Sequence, residues 1–94
     1  MTPYSTSRLL TRAQIWDLIQ AERDRQAEKW NRSHEWGYGD CSSDLVDPAV
    51  KAAVLAEECG EVARAMLDRD DKQLTAELVQ VAAVAVAWLE GQWP

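Results

Sequence analysis

The chain has 94 residues, of which 47% are hydrophobic and 28% charged, so it fits one small folded domain and is not a disordered chain. Its 16 acidic and 10 basic residues give a formal net charge of −6. This balance argues against readers of duplex DNA and binders of anionic membranes, because both use basic patches.

The sequence also favours a cytoplasmic location. Uninterrupted apolar runs are much shorter than the roughly 20 residues that a membrane span needs. Residues 1–10 carry neither the basic leader nor the apolar core of a signal peptide. The two cysteines suit a reducing compartment. We therefore expect a cytoplasmic protein that binds neither a nucleic-acid polymer nor a membrane.

The first predicted helix covers about residues 11–31. Residues 11–14 have the spacing of a capping box, in which a hydroxyl and an amide side chain satisfy each other's backbone N–H groups. Apolar residues then recur on one face at about 100° per residue. Glu22 and Gln26 continue this face toward Trp30, so polar groups are expected on the inner side of the helix.

A loop follows over residues 31–47. Its Gly, Ser and Asp residues supply turn chemistry, and the segment has neither a helical period nor a strand alternation. Loops this long in small domains are often functional. The concentration of His34, Trp36 and Tyr38 is also unusual for a solvated linker. We predict no β-strand anywhere in the chain.

Two further helices are predicted over about residues 47–68 and 71–90. The last helix is apolar over residues 78–89 except at Gln80. A helix that is apolar all round must be covered on every side, which two other helices of one chain can hardly do. We therefore predict an all-α fold in a single domain, residues 1–94, whose three helices form a four-helix-type bundle by homo-oligomerisation.

Carboxylates interrupt the apolar faces of these two helices. Glu58 and Glu61 lie one turn apart on the second helix, and Glu77 and Gln80 have the same spacing on the third. Ionised carboxylates are expensive to bury unless they are paired or bound to a cation. Three explanations are open: a partly exposed face, a buried network with basic residues, or a shared divalent-metal site with the oxygen ligands that Mg²⁺ and Mn²⁺ prefer.

Together, residues 58–61 and 77–80 resemble the split ExxE … ExxD signature of the MazG-like all-α nucleoside triphosphate pyrophosphohydrolases. The resemblance covers about residues 13–91 and is strongest to small phage and actinobacterial members. It implies a hydrolase that uses Mg²⁺, or Mn²⁺ as an alternative. Such an enzyme cleaves a (deoxy)nucleoside triphosphate between the α and β phosphates, giving monophosphate and pyrophosphate. The resemblance also agrees with a homodimer or tetramer.

The resemblance assigns roles to individual residues. The metal ligands carry over onto Glu58, Glu61 and Glu77, with Gln80 where the family pattern has Asp. An amide oxygen can ligate Mg²⁺ but brings no negative charge, so we expect weaker binding. Glu57 or Glu61 is expected to orient the attacking water or accept its proton, which makes Glu57, Glu58 and Glu61 the candidate catalytic residues.

The substrate is expected to contact the first helix, the loop and the start of the second helix. Trp30 and Trp36 offer faces on which a base can stack. His34 can hydrogen-bond a base edge or the ribose, Gln26 can make a polar contact, and Lys51 can touch a phosphate. The alternatives are core packing for Trp30 and simple solvation for His34 and Lys51.

Two other functions are compatible with the same residues. One is a non-catalytic helical oligomerisation or partner-binding module, whose metal site is degraded by Gln80. The other is a pyrophosphohydrolase of guanosine tetraphosphate-type (ppGpp-type) alarmones, using the same metal on a different phosphate chain.

Overall fold

The structure is a computed structural model that describes residues 9–92. Over these residues it is mostly helical, as predicted, with a small two-stranded hairpin in the loop. The elements are α1 (Arg12–Lys29), β1 (Ser33–His34), β2 (Gly37–Tyr38), α2 (Pro48–Leu67) and α3 (Asp71–Glu90). Residues 1–8 lie outside the described residues. They make up most of residues 1–10, on which the prediction about a signal peptide rests.

Side-chain caps determine where the helices begin. At the start of α1, Gln14 N–H donates to Thr11 Oγ1 over 3.1 Å, and Thr11 N–H donates to Gln14 Oε1 over 2.9 Å. This is the predicted capping box. The side chains of Asp47 and Asp70 accept backbone N–H groups in the first turns of α2 and α3. The capping residues in the sequence therefore predicted the first residue of each helix to within one position.

The hairpin corrects the prediction that the chain has no strand. Each strand has two residues, which is too short to show a readable alternation, and the two strands pair antiparallel. Gly37 and Gly39 have φ angles of +129° and +94°, which residues with a Cβ rarely adopt. A Cβ at Gly37 would also clash with the backbone oxygen of Leu45. Two glycines thus set the geometry of the loop.

Helix α3 is the centre of the described fold. It packs against both α1 and α2, whereas α1 and α2 make no backbone contact with each other over residues 9–92. The buried apolar residues are few and mostly small, and no large side chain of this part of the chain is fully buried. They are Ile19, Val46, Ala65, Ala83, Val84 and Ala87.

Large apolar side chains remain on the surface of the single chain. Trp16 is 60% exposed, Leu67 80%, Leu78 51% and Leu89 70%. In the most apolar stretch of α3, 22% of the residues are buried. Residues 9–92 of one chain therefore do not cover the most apolar helix on every side.

By length and average hydropathy, α3 could also cross a membrane. The sequence analysis did not identify α3 as a candidate membrane span, because its uninterrupted apolar run is much shorter than about 20 residues. Core helices of soluble proteins pass the same test, and α3 lies between two other helices with Glu77 buried on it. The cytoplasmic location stays a prediction.

Arg23 connects α1, the loop and the end of α3. It donates to Glu90 through Nε (3.2 Å) and Nη2 (2.6 Å), and to Asp40 Oδ2 through Nη1 (2.8 Å). The side chains of Arg23 and Asp40 are 8% and 7% exposed. Burial alone would raise the pKa of Asp40, but hydrogen bonds from Ser42 and Arg23 outweigh it and lower the pKa. This network fixes the loop against the helices.

We expect Arg23→Met to lower the free energy of unfolding by about 2–4 kcal/mol at neutral pH, because it leaves Asp40 buried without its counter-ion. Urea unfolding at matched protein concentration measures the loss. Because the pKa of Asp40 is lowered in the folded state, its stabilisation is present at neutral pH and is lost as the pH falls below about 4. The difference between variant and wild type should shrink in acid.

Arg64→Met is the matched control. Arg64 forms an ion pair with Asp68 at 3.3 Å, and their side chains are 73% and 57% exposed. Its removal should cost less than about 1 kcal/mol. Equal losses in the two variants would contradict the structural role of Arg23.

Candidate functional site

Glutamates from all three helices lie near enough to Glu58 for their charges to act on it. Burial raises the pKa of Glu58, and the charges of Glu77, Glu57, Glu61 and Glu22 raise it further. We call these five glutamates the acidic cluster. The structure thus brings three of the predicted metal ligands into one region and adds Glu22 from α1.

Two oxygens of the acidic cluster are buried and have no hydrogen-bond partner among the described residues. They are Oε2 of Glu58, on α2, and Oε2 of Glu77, on α3. Glu77 is 6% exposed, and its other oxygen accepts from Gln73 Nε2 at 2.5 Å. An unpaired buried carboxylate oxygen is costly, and a divalent cation is one partner that would satisfy it. The donors are all oxygens, which fits Mg²⁺ or Mn²⁺.

The remaining predicted ligands are more open. Glu57 and Glu61 are exposed, and Gln80 is half-buried. Within residues 9–92, no three His, Cys, Asp or Glu side chains converge closely enough to hold a metal ion. The single chain therefore gathers the donors in one region without arranging them as a coordination shell.

Ion pairing accounts for Glu22 but not for the two unpaired glutamates. Arg25 donates to Glu22 through Nε (2.8 Å to Oε1) and Nη2 (2.6 Å to Oε2). Gln26 Nε2 donates to the same carboxylate at 3.2 Å. The bond from Arg25 is the main reason that the pKa of Glu22 is lowered. Of the three explanations for inward carboxylates, pairing with a basic residue thus applies to Glu22, through the largely exposed Arg25, whereas Glu58 and Glu77 form no ion pair within residues 9–92.

A groove of about 430 Å³ runs between α1 and α3 beside the acidic cluster. Its walls combine small and branched apolar residues with five polar ones that include Gln80 and Glu22. The lining consists of Leu18, Ala21, Glu22, Arg25, Lys72, Thr75, Ala76, Val79 and Gln80. Gln80 therefore faces open space rather than the helix interface alone.

Three of the predicted substrate contacts form one aromatic group. The ring centroids of Trp30 and His34 are 5.4 Å apart in an edge-to-face arrangement, and those of His34 and Trp36 are 6.4 Å apart. Lys29 Nζ and Arg32 Cζ lie 5.2 and 5.1 Å from the ring centre of Trp30. Trp36 is 53% exposed, so its ring is accessible to a ligand.

His34 is engaged in the hairpin rather than solvated. Its Nε2 lies 2.7 Å from the carbonyl oxygen of Gly39, and its Nδ1 lies 3.3 Å from the backbone N–H of Trp36. Both bonds form together when the hydrogen is on Nε2, because Nδ1 then accepts. A base or ribose contact by His34 would have to replace one of these bonds.

The other two predicted contacts, Gln26 and Lys51, are buried. Gln26 is 9% exposed and bonds to Arg23 as well as to Glu22. Lys51 is 3% exposed, so the alternative that it is simply solvated is wrong. Its charge acts on Cys41, where burial raises the pKa of the thiol and Lys51 partly offsets this. Lys51 therefore lies beside the loop and not in an open phosphate site.

Sequence reasoning did not identify Arg25 as a site residue. The signal was present, since residues three apart on a helix are neighbours and Glu22 and Arg25 have that spacing. Lys72, which also lines the groove, had no comparable signal because its proximity to α1 depends on how α1 packs against α3.

Comparison with protein-family models, with curated proteins and with solved structures finds no match for this chain. The function is therefore argued from the residues of the acidic cluster and from the sequence pattern that they form.

We expect Glu58→Gln to raise the melting temperature of the metal-free protein at neutral pH. The pKa of Glu58 is raised above its ordinary value of 4.5. This group's contribution to stability is therefore present below about 4.5 and is lost as the pH rises through the folded-state pKa. The amide cannot ionise, so the variant avoids that loss.

Thermal unfolding in a chelator, across the acidic-to-neutral range, measures the effect. Glu28→Gln is the control, because Glu28 is exposed on α1 and is not among the groups that raise the pKa of Glu58. A Glu58→Gln variant that melts at or below the wild-type temperature at neutral pH would show that this carboxylate is not a destabilising charge.

Proposed function

We propose that this chain is a divalent-cation-dependent nucleotide pyrophosphohydrolase of the MazG-like type. It would hydrolyse a (deoxy)nucleoside triphosphate to the monophosphate and pyrophosphate. The observation that carries this proposal is the pair of buried oxygens without partners on Glu58 and Glu77. They lie on two helices at positions where the family pattern has metal ligands.

The cation, Mg²⁺ or Mn²⁺, would be held by Glu58, Glu61 and Glu77, with the amide oxygen of Gln80 as a neutral fourth donor. When bound, such an ion neutralises charge on the phosphate oxygens. It would also provide the positive charge that Glu58 and Glu77 lack in the described part of the chain.

The carboxylates of Glu57 and Glu61 are suited to handle the attacking water. Both are exposed, and neither forms an ion pair or side-chain hydrogen bond with another described residue. Either can accept the proton of a water whose oxygen attacks phosphorus, while the bond to the leaving pyrophosphate breaks. Their protons exchange with solvent after each turnover.

The aromatic group at the end of α1 supports binding of the base. Stacking on Trp36 or Trp30 is worth about 1–3 kcal/mol per base. Lys29 and Arg32, next to Trp30, add positive charge on this side of the molecule. Gln26, His34 and Lys51 fit better as residues that hold the site together, because each is already engaged or buried.

We further propose that the chain works in the cytoplasm as a homodimer or tetramer. The exposed Leu78 and Leu89 of α3 would be covered by helices of another copy, which completes a four-helix-type bundle. Burial of apolar surface at about 25 cal/mol per Å² supplies the driving force.

Release of pyrophosphate from a panel of nucleoside triphosphates and guanosine tetraphosphate, with Mg²⁺ or Mn²⁺, tests the activity. We expect the Glu58→Ala, Glu61→Ala double variant to lose about a hundredfold or more, since even residues that only support metal ligands cost 10–100-fold. Glu28→Ala serves as the control for loss of an exposed carboxylate.

Full turnover by the double variant would contradict the assignment of Glu58 and Glu61 to the cation site. Cleavage confined to guanosine tetraphosphate would favour the alarmone activity. Turnover of no compound in the panel, together with oligomer formation, would favour the non-catalytic module.

Gln80→Asp should bind Mn²⁺ as tightly as the wild type or more tightly, because it adds an anionic oxygen at the neutral position. Calorimetric titration measures the affinity. Gln92→Asp adds the same charge at an exposed site beyond α3 and controls for net charge. A clear loss of affinity in Gln80→Asp alone would mean that the amide serves another purpose, such as donating a hydrogen bond to the substrate.

A further inference from the structure

The positive charge of Arg25 interacts with two members of the acidic cluster, Glu22 and Glu58. Its guanidinium grips both oxygens of Glu22. Its own pKa is raised, first by that hydrogen bond and also by the charges of Glu22 and Glu58. The cluster is therefore partly neutralised from α1, at the edge nearest the groove.

Arg25 is held much more loosely than Arg23. The side chain of Arg25 is 53% exposed and bonds one carboxylate three residues earlier on the same helix. Arg23 is 8% exposed and bonds carboxylates of two other segments. Exposed pairs within one helix are weak, so Arg25 can leave Glu22 without disturbing the fold, whereas Arg23 cannot.

A divalent ion that entered the acidic cluster would compete with Arg25 for the negative charge of Glu22. Glu77 is more than nine-tenths buried and presents an oxygen without a partner, so a further positive charge is still required there. Like charges within a few ångströms repel strongly in a partly buried site. Arg25 also occupies an acceptor site on each oxygen of Glu22, and Gln26 occupies a second site on Oε2.

We propose that Arg25 is a built-in counter-ion of the acidic cluster, which neutralises Glu22 in the cation-free chain and is displaced when a divalent cation binds. This inference rests on the proposed function, because it takes the acidic cluster as the cation site. The displaced guanidinium would remain in the groove between α1 and α3, which Arg25 lines together with Lys72.

Mn²⁺ titration followed by electron paramagnetic resonance of the free ion tests this without any turnover. We expect Arg25→Gln to bind Mn²⁺ about five- to tenfold more tightly than the wild type, because a competing positive charge is removed. The gain should shrink at about 0.5 M salt, where exposed charges are screened. Arg25→Lys keeps the charge but loses the two-pronged grip on Glu22, so its affinity should lie between the two.

Arg64→Gln is the matched control, since Arg64 also forms an exposed pair with a carboxylate of its own helix, but that carboxylate, Asp68, is not a member of the acidic cluster. Mn²⁺ affinity in Arg25→Gln that equals or falls below that of Arg64→Gln would overturn the inference while leaving the cation site in place. Tighter Mn²⁺ binding with no nucleotide hydrolysed would support the counter-ion and overturn the proposed hydrolase. Binding by neither the wild type nor Arg25→Gln would overturn both.

Discussion

Charge compensation around Glu58 and Glu77 is the constraint on which the rest of the site depends. Burying an ionised carboxylate is unfavourable unless a proton, a basic side chain or a cation offsets the charge. The chain uses the first two only in part: the pKa of Glu58 is raised, and Arg25 pairs with Glu22. The two oxygens left without partners among the described residues are the reason that we propose a cation as the third component.

The same chain contains a partly buried ion network in which both carboxylates have a partner. Arg23 is bonded to Asp40 and Glu90, and Ser42 donates to the other oxygen of Asp40. That network joins the loop to two helices and has an evident structural purpose. The acidic cluster differs from this network because two of its buried oxygens have no partner among the described residues. Buried charges without partners occur mainly at functional sites, which favours a functional role for the cluster.

Much of the fold followed from local rules, and the exceptions have physical reasons. Thr11, Asp47 and Asp70 cap the helices because capping depends on residues within one turn. The hairpin was not predicted because it depends on the conformations of two glycines and on the close approach of Gly37 to the backbone oxygen of Leu45. The contact of Arg23 with Glu90 spans 67 positions, and no spacing rule finds such a pair. The clustering of Glu58 with Glu77 was predictable because each lies on the inward face of its own helix.

The geometry of α3 separates self-association from cation binding. At about 100° per residue, Leu78 and Leu89 lie about 20° apart on the helix, and both are roughly 100–120° from Glu77. Both leucines are exposed, whereas Glu77 is buried. A second copy that covered the two leucines would therefore lie beside the acidic cluster and not over it. On the same projection Thr75 and Val79, which line the groove between α1 and α3, lie about 40° and 80° from Leu89, whereas Gln80 lies about 180° from it. The proposed oligomer would therefore approach the groove from one side and leave Glu77 and Gln80 uncovered.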